Sequence, residues 1–511
     1  MKKTMKSFVL VTLLGFLGKG IGLYRSILLA KQFGSSKETD AFIIALTGVL
    51  ILSSLLTSSM NNIVVMTISK EDDKNKRIEI VNNILNITLL VSFLLIVSMF
   101  FLSPIFISIL SSGFEGEQFK LTNTMFRMGI PALMFYSAQG IFRGFLNHEG
   151  VFVDFGLLPF AQNIPVIIYL LFFSTKFGIT GLMVSQVIGI SMQMIIQIPF
   201  LRKTGYKYYW FLDKKAKYLK SAAVLLVPIL VGVIINDLNS IVDKSVASFL
   251  DYGSITVLDY AYRLNAIFLD GLISPIGLIL LPLLAASYNK KQYEKFIDTY
   301  EKTFELMCLV VIPISFVLVF YSHEIVTIFY GRGAFDIDSI NRTSNALKLY
   351  SIGLLPMAGK LVYSKIFYST NDTKTSMIDG IITLVLNLIL NVIFVKNYHY
   401  KGLALATTIT NWITFIRLSI IINKKVKITF LEYMKKIGTY LQIFVVSAIV
   451  LLISKFIFDK FIDFYNLSLL SKLFNFILVM LISAFIFFAL IYLIQRDKIK
   501  SLYRMIIKNK D

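Results

Sequence analysis

The feature that most restricts this chain is a recurrence. Fourteen stretches of more than twenty predominantly apolar residues follow one another, separated by short polar interruptions. They lie near 7–32, 39–67, 80–110, 122–145, 151–174, 178–202, 218–249, 254–286, 298–321, 342–368, 374–396, 400–423, 434–457 and 468–494. A helix needs about 20 such residues to cross the roughly 30 Å of bilayer hydrocarbon. Soluble domains average about 25% charged residues. Only 16% of these 511 residues are charged, too few to coat a soluble protein of this length. The expectation is an all-α polytopic membrane protein with fourteen transmembrane helices. The first stretch carries Lys19 and Arg25 and lacks a small-residue cleavage site, so it reads as a retained helix rather than a signal peptide.

Net charge is +21. On a soluble chain that would suggest nucleic acid; on a membrane chain it reflects basic cytoplasmic loops facing anionic lipid. Lys and Arg concentrate in the loops on the N-terminal side, with seven of them in 202–220. The positive-inside rule then places both termini in the cytoplasm, and no nucleic-acid partner is expected. Cys308 is the single cysteine, so no intrachain disulfide can form. His148, His323 and His399 are far apart in sequence and near loops, which argues against a histidine metal site.

The chain repeats itself at an offset of about 220 residues. Gly34-Ser35 with Asp40-Ala41 returns as Gly253-Ser254 with Asp259-Tyr260-Ala261. Phe177 to Leu182 is echoed by Tyr398 to Leu403, and Thr122 to Pro131 by Thr343 to Pro356. Two six-helix repeats in one orientation imply a pseudo-two-fold axis along the membrane normal, a transporter architecture. The expected layout is an N-lobe of six helices (1–203), a basic cytoplasmic linker (204–217), a C-lobe of six (218–423), and two further helices with a basic tail (424–511).

Charges at membrane depth usually face an aqueous path. Lys19 and Arg25 in the first span and Arg263 in the eighth fit that pattern, whereas Arg127, Arg143 and Arg417 lie near span ends and read as snorkelling to head groups. A cationic pocket calls for an anionic ligand, since Arg forks match phosphate oxygens and Lys adds a point charge. Gly15, Gly18, Gly20 and Gly22 flank Lys19, either for close helix packing or for bending. Asn387 and Asn391, spaced i, i+4, join Asp243 and Thr407 as hard oxygen ligands suited to Na⁺ or to proton coupling; interhelical hydrogen bonding is the alternative. No nucleotide-binding phosphate loop, H-E-x-x-H or G-x-S-x-G motif is present. No enzyme chemistry and no cofactor beyond a Na⁺ or H⁺ coupling ion is expected.

The segment G-x-x-R25-S-I-L-L-A-x-x-F-G-S-x-x-x-T-D40-A-F resembles the first-span signature of the MurJ (MviN) lipid II flippases of the multidrug/oligosaccharidyl-lipid/polysaccharide exporter superfamily. Asn239-x-x-x-Asp243 with Gly253-Ser254, Tyr260-Ala-x-Arg263-Leu and Leu281-Pro282 is similar to its seventh and eighth spans. Ile325-Val326 to Gly331-Arg-Gly-Ala-Phe-Asp336, and Phe367-Tyr368 through Asn371-Asp372-x-x-Thr375, are similar to blocks around its tenth. The resemblance implies outward movement of undecaprenyl-pyrophosphate-linked MurNAc-GlcNAc-pentapeptide by alternating access, driven by an ion gradient or the membrane potential. It implies pyrophosphate binding by Lys19, Arg25 and Arg263, a gate at Asp40, and a sodium site of Asp243, Asn387, Asn391, Thr407 and the Leu403 carbonyl. It also implies partners among membrane lipids and the cell-wall synthesis machinery.

The chain departs from that pattern in four places. Lys19 replaces an arginine, and Asn391 stands where an aspartate can occur. Ser53 to Met60 lacks the arginine and acid usual in the second span, and Ala266 replaces an acid. A flippase for another polyprenyl-linked polysaccharide unit, or a cation-coupled multidrug exporter, is the alternative.

Overall fold

Apolar stretches in a membrane are expected to be helical, because no other single-segment element satisfies every backbone group without water. A computed structural model describes residues 2–220, 238–269, 271, 274–370, 372–426 and 430–496. Within them the secondary structure is helical, with no strand. In chain order the helices are α1 (Lys2–Phe33), α2 (Lys37–Ile68), α3 (Lys74–Leu110), α4 (Gly116–Gly129), α5 (Ala132–His148), α6 (Val153–Phe172) and α7 (Ser174–Lys203). Then come α8 (238–247), α9 (Ser254–Phe268), α10 (Ser274–Asn289), α11 (Tyr293–Phe320), α12 (Ser322–Tyr330), α13 (Ile337–Ile352) and α14 (Leu354–Ser369). The last are α15 (Thr373–Val426), α16 (Phe430–Phe461) and α17 (Leu469–Ile494). Most of the seventh expected span, part of the eighth, Asn371 and the basic tail beyond 496 lie outside the described residues.

Among the described residues, seven helices are long and apolar enough to cross a membrane unaided. Part of the difference from fourteen has local causes, and part falls on residues outside those described. Two expected spans are broken: the fourth into α4 and α5 before Pro131, and the tenth into α13 and α14 at Gly353. Conversely, α15 carries the eleventh and twelfth across a sharp reversal at His399 (φ 50°, ψ −134°). Gly178 (φ 59°) makes the equivalent bend at the start of α7. Both fall in the Phe177/Tyr398 echo, so at this pair of positions the sequence echo is matched by a backbone bend.

Helix contacts separate two compact units, Met1–Thr256 with Arg332–Asp336, and Val257–Gly331 with Ile337–Asp511. The first unit packs α2 between α5, α4 and α3, with α6 between α1 and α7. One apolar cluster brings Ile63, Val64 and Ile68 of α2 against Val81, Ile84, Ile141 and Phe145. Gly18 is the one glycine of the α1 stripe that packing demands, because a Cβ there would lie 2.7 Å from Pro159 on α6; Gly15 and Gly20 face open space. In the second unit Phe304, Tyr363 and Phe415 stack with centroids 5.3–6.2 Å apart. Gly359 admits the Phe415 ring, which a Cβ would meet at 2.2 Å. Glu324 of α12, 4% exposed, accepts from Lys455 of α16 at 2.6 Å, and Ser454 joins Tyr321 to Ser483 of α17. These bonds dock the two additional helices on this unit.

The basic linker expected at 204–217 is pinned along α3 by three buried asparagines. Asn82 Nδ2 donates to the Lys207 carbonyl at 3.0 Å and Asn86 Nδ2 to that of Phe211 at 2.9 Å. Asn83 donates to the Asp213 carbonyl at 2.9 Å and accepts from the Asp213 amide at 2.8 Å. Tyr206 Oη donates to Asn82 Oδ1; burial raises this phenol above its ordinary value, so it stays protonated and keeps donating. Asn83→Ala orphans both Asp213 backbone groups at about 1–3 kcal/mol each. Faster amide exchange across 206–218, with α3 itself still protected, is the expected result.

Candidate functional site

Asp40 is the sequence-selected residue whose role is most sharply defined by geometry. It lies in the first turn of α2, 2% exposed. One carboxylate oxygen accepts from the Gly253 amide at 2.6 Å, the other from the Thr256 amide at 2.8 Å and Thr256 Oγ1 at 2.6 Å. The first amides of any helix lack intrahelical partners, and a carboxylate there also meets the positive end of the helix dipole. Asp40 therefore caps the first turn of α9 from another helix, and the residues it holds, Gly253 and Thr256, lie with it in the first unit.

Around it the backbone is packed without space for side chains. The Ala334 amide donates to the Lys31 carbonyl at 2.8 Å, and the Gly113 amide to Ser248 Oγ at 2.9 Å. A Cβ on Gly34, Gly253 or Gly333 would lie within 2.5 Å of a carbonyl oxygen, and all three glycines have positive φ. Residues 34–40, 113, 248–256 and 332–336 thus close together at one end of the first unit. The repeat partner of Asp40 behaves differently: Asp259 pairs with Arg263 on its own helix.

The expected cationic residues divide between the units. Lys19 and Arg25 are half-buried on α1 in the first, six residues apart and so about 9 Å along the axis. Arg25 lies near the Tyr136 hydroxyl, with Gln162 also beside it. Arg263 belongs to the second unit, where its Nε donates to Asp259 Oδ2 at 2.5 Å and its side chain remains 37% exposed. An anion bound at Arg263 shares its guanidinium with this carboxylate.

The expected ion site is likewise divided. Asn391 donates to Asn387 Oδ1 at 2.6 Å, Asn387 approaches Thr407 Oγ1 at 3.5 Å, and Thr407 donates to the Leu403 carbonyl at 3.0 Å. Four of the five residues are brought together within α15. Asp243 stands on α8, in the first unit. The neighbouring Lys244 Nζ donates to Thr47 Oγ1 on α2. Among the described residues, no three His, Cys, Asp or Glu side chains gather to hold a metal.

Two polar clusters went unread in the sequence. Gln186, Gln193 and Gln197, all buried on α7, form one; Gln193 donates to the Leu158 carbonyl and to Gln162 Oε1, both at 3.1 Å, and Gln197 to the buried Asp154. Their near-heptad spacing was the available signal. The other surrounds Asp379 of α15, 5% exposed. Lys360 of α14 pairs with it at 3.3 Å and Arg417 at 3.1 Å, while Lys360 also donates to Thr383 and Thr414. Arg417, expected to snorkel, is instead an internal ion-pair partner. A lone Asp in an apolar run, in phase with a Lys and an Arg on adjacent spans, was the sign.

Comparison with known proteins places the chain in a family. The family model described as lipid II flippase MurJ matches residues 29–472. A protein of Buchnera aphidicola subsp. Baizongia pistaciae named "Probable lipid II flippase MurJ" is 28% identical over 428 residues, 81% of this chain and 82% of its own. A Vibrio cholerae protein of the same name is 26% identical over 428 residues, 80% and 81% of the two chains. Among solved structures, a lipid II flippase MurJ in an inward closed conformation aligns with a TM-score of 0.80 at 26% identity, covering 95% of this chain and 99% of the other. An inward-facing multidrug-resistance MATE transporter shares the fold, with a TM-score of 0.68 at 15% identity over 82% of this chain and 98% of its own. The apolar helices and a family match running through both units lead to one conclusion: this multi-pass membrane chain belongs to the MurJ lipid II flippase family.

Proposed function

We propose that the chain moves lipid II from the inner to the outer leaflet of the bacterial cytoplasmic membrane by alternating access. The observation that carries this reading is the family match across residues 29–472, sustained by a fold agreement over nearly the whole chain. It is a transporter, with no catalytic step assigned to it. Its fourteen spans form an N-lobe (1–203) and a C-lobe (218–423) joined by the 204–217 linker, followed by two helices and a tail (424–511), with both termini cytoplasmic.

Lys19, Arg25 and Arg263 bind the substrate pyrophosphate, and Arg25 and Arg263 do so through guanidinium forks. The packing around Asp40 is the closed outer gate; it opens when α9 loses its cap. Asn387, Asn391, Thr407 and the Leu403 carbonyl, with Asp243, hold a coupling Na⁺. A unit charge crossing 100 mV releases about 2.3 kcal/mol, enough to bias the cycle.

The test is complementation of a bacterium depleted of its own lipid II flippase, scoring survival and outward-accessible lipid II. Rescue is expected from the parent chain, and its loss in Arg25→Ala and Arg263→Ala. Hydrogen bonds to charged groups are worth about 1.5–3 kcal/mol, so each substitution costs roughly ten- to a hundredfold in transport. Failure of the well-expressed parent would overturn lipid II as substrate and favour another polyprenyl-linked glycan, in line with the Ser53–Met60 and Ala266 departures. Rescue that survives both substitutions would remove the site and leave the function.

A further inference from the structure

Helix α3 has 37 residues and is therefore about 55 Å long, well beyond the roughly 30 Å of bilayer hydrocarbon. Its most apolar run begins near Leu89; the turns before it mix apolar residues with Lys74, Lys76, Arg77, Glu79 and the three asparagines. Against those turns, at Asn82, Asn83 and Asn86, lies the non-helical backbone of 206–213. Irregular backbone does not face hydrocarbon, so the asparagine ladder fixes the depth of this segment at the head-group layer.

Pinned there, the segment turns unusual side chains outward. Tyr208, Tyr209 and Trp210 are consecutive and 55%, 41% and 63% exposed. Rings with a polar handle favour the membrane interface. Lys207, Lys214, Lys215 and Lys217 are exposed on the same segment, against the acids Asp213 on it and Glu79 beside Tyr209. Cations outnumber acids here, and each basic residue near an anionic leaflet adds attraction.

We propose that residues 205–217 form a rigid membrane-surface anchor, in which the aromatic run seats in the interface and the lysines bind head groups of anionic phospholipids. An acidic soluble protein is the competing occupant, but it would leave the three rings in water at a depth where lipid is already present. This inference needs only that the chain spans a bilayer and stands whatever the transported substrate proves to be.

The chain has two tryptophans, so Trp412→Phe leaves Trp210 as sole fluorophore. The full-length variant is reconstituted into vesicles of equal phosphatidylglycerol and phosphatidylcholine, with bromine on the acyl chains of one lipid at a time. Brominated phosphatidylglycerol is expected to quench Trp210 more strongly than brominated phosphatidylcholine. That preference should fall to parity in high salt, and also when Lys207, Lys214, Lys215 and Lys217 are all changed to Gln. Equal quenching by the two lipids at low salt would overturn the lipid selectivity. Quenching by neither would overturn the anchor and point to water or a protein at this face. Should the fourfold variant fail to fold, the salt titration of Trp412→Phe alone decides.

Discussion

Asp40→Ala is expected to lower the melting temperature and abolish complementation together. The substitution removes an acceptor from two backbone amides and one hydroxyl, all buried. Bonds to a charged group are worth about 1.5–3 kcal/mol each and overlap when they share one carboxylate, giving roughly 3–5 kcal/mol in all. Asp40→Asn keeps the shape but turns one oxygen into a donor that faces donors, so it should fall between wild type and alanine. The capping contact and the proposed gate separate in the readout. Stability loss with full complementation would leave Asp40 a helix cap and nothing more. Unchanged stability would contradict the geometry itself. A third result, near-native stability in Asp40→Asn with transport lost, would assign the charge to gating.

Asp379→Ala should be at least as damaging to the fold. The carboxylate sits between Lys360 and Arg417, and its removal leaves the Lys360 ammonium, 18% exposed, without its counter-charge. Breaking a buried pair by deleting one partner typically costs about 3–5 kcal/mol. Arg417 is 30% exposed and can reach water, so most of the penalty falls on Lys360. The prediction is therefore asymmetric: Lys360→Met in the Asp379→Ala background should restore most of the melting temperature, while Arg417→Met should restore little. Equal rescue by both, or by neither, would show that Lys360 is not the group held by Asp379. The pair also clamps α14 to both arms of α15, so the single variant should loosen that arrangement even where the protein still accumulates.

The sequence reading went far where one segment alone decides the outcome. Apolar length made the helices, because a backbone in lipid must satisfy itself. The Phe177/Tyr398 echo marked the bends at Gly178 and His399, because a tight reversal demands particular residues locally. What sequence could not rank was the use of similar residues in different surroundings. Asp40 and Asp259 occupy equivalent repeat positions, yet one caps a helix reached through tertiary packing and the other pairs four residues along its own helix. Arg417 has the look of a snorkelling side chain until Asp379, 38 residues away, lies against it. Asn82, Asn83 and Asn86 read as an unremarkable polar patch until a loop more than 120 residues on supplies their partners.

The boundary between what was legible and what was not follows the range of the forces involved. Burial of apolar area and helix closure act along the chain and leave periodic traces in it; from them came the membrane class and the helices. Hydrogen bonds and ion pairs act over a few ångströms and are satisfied by whatever the fold brings near. The cap on α9, the Lys360–Asp379–Arg417 cluster and the pinned linker were therefore decided by tertiary structure, since only packing chooses which buried donor meets which acceptor.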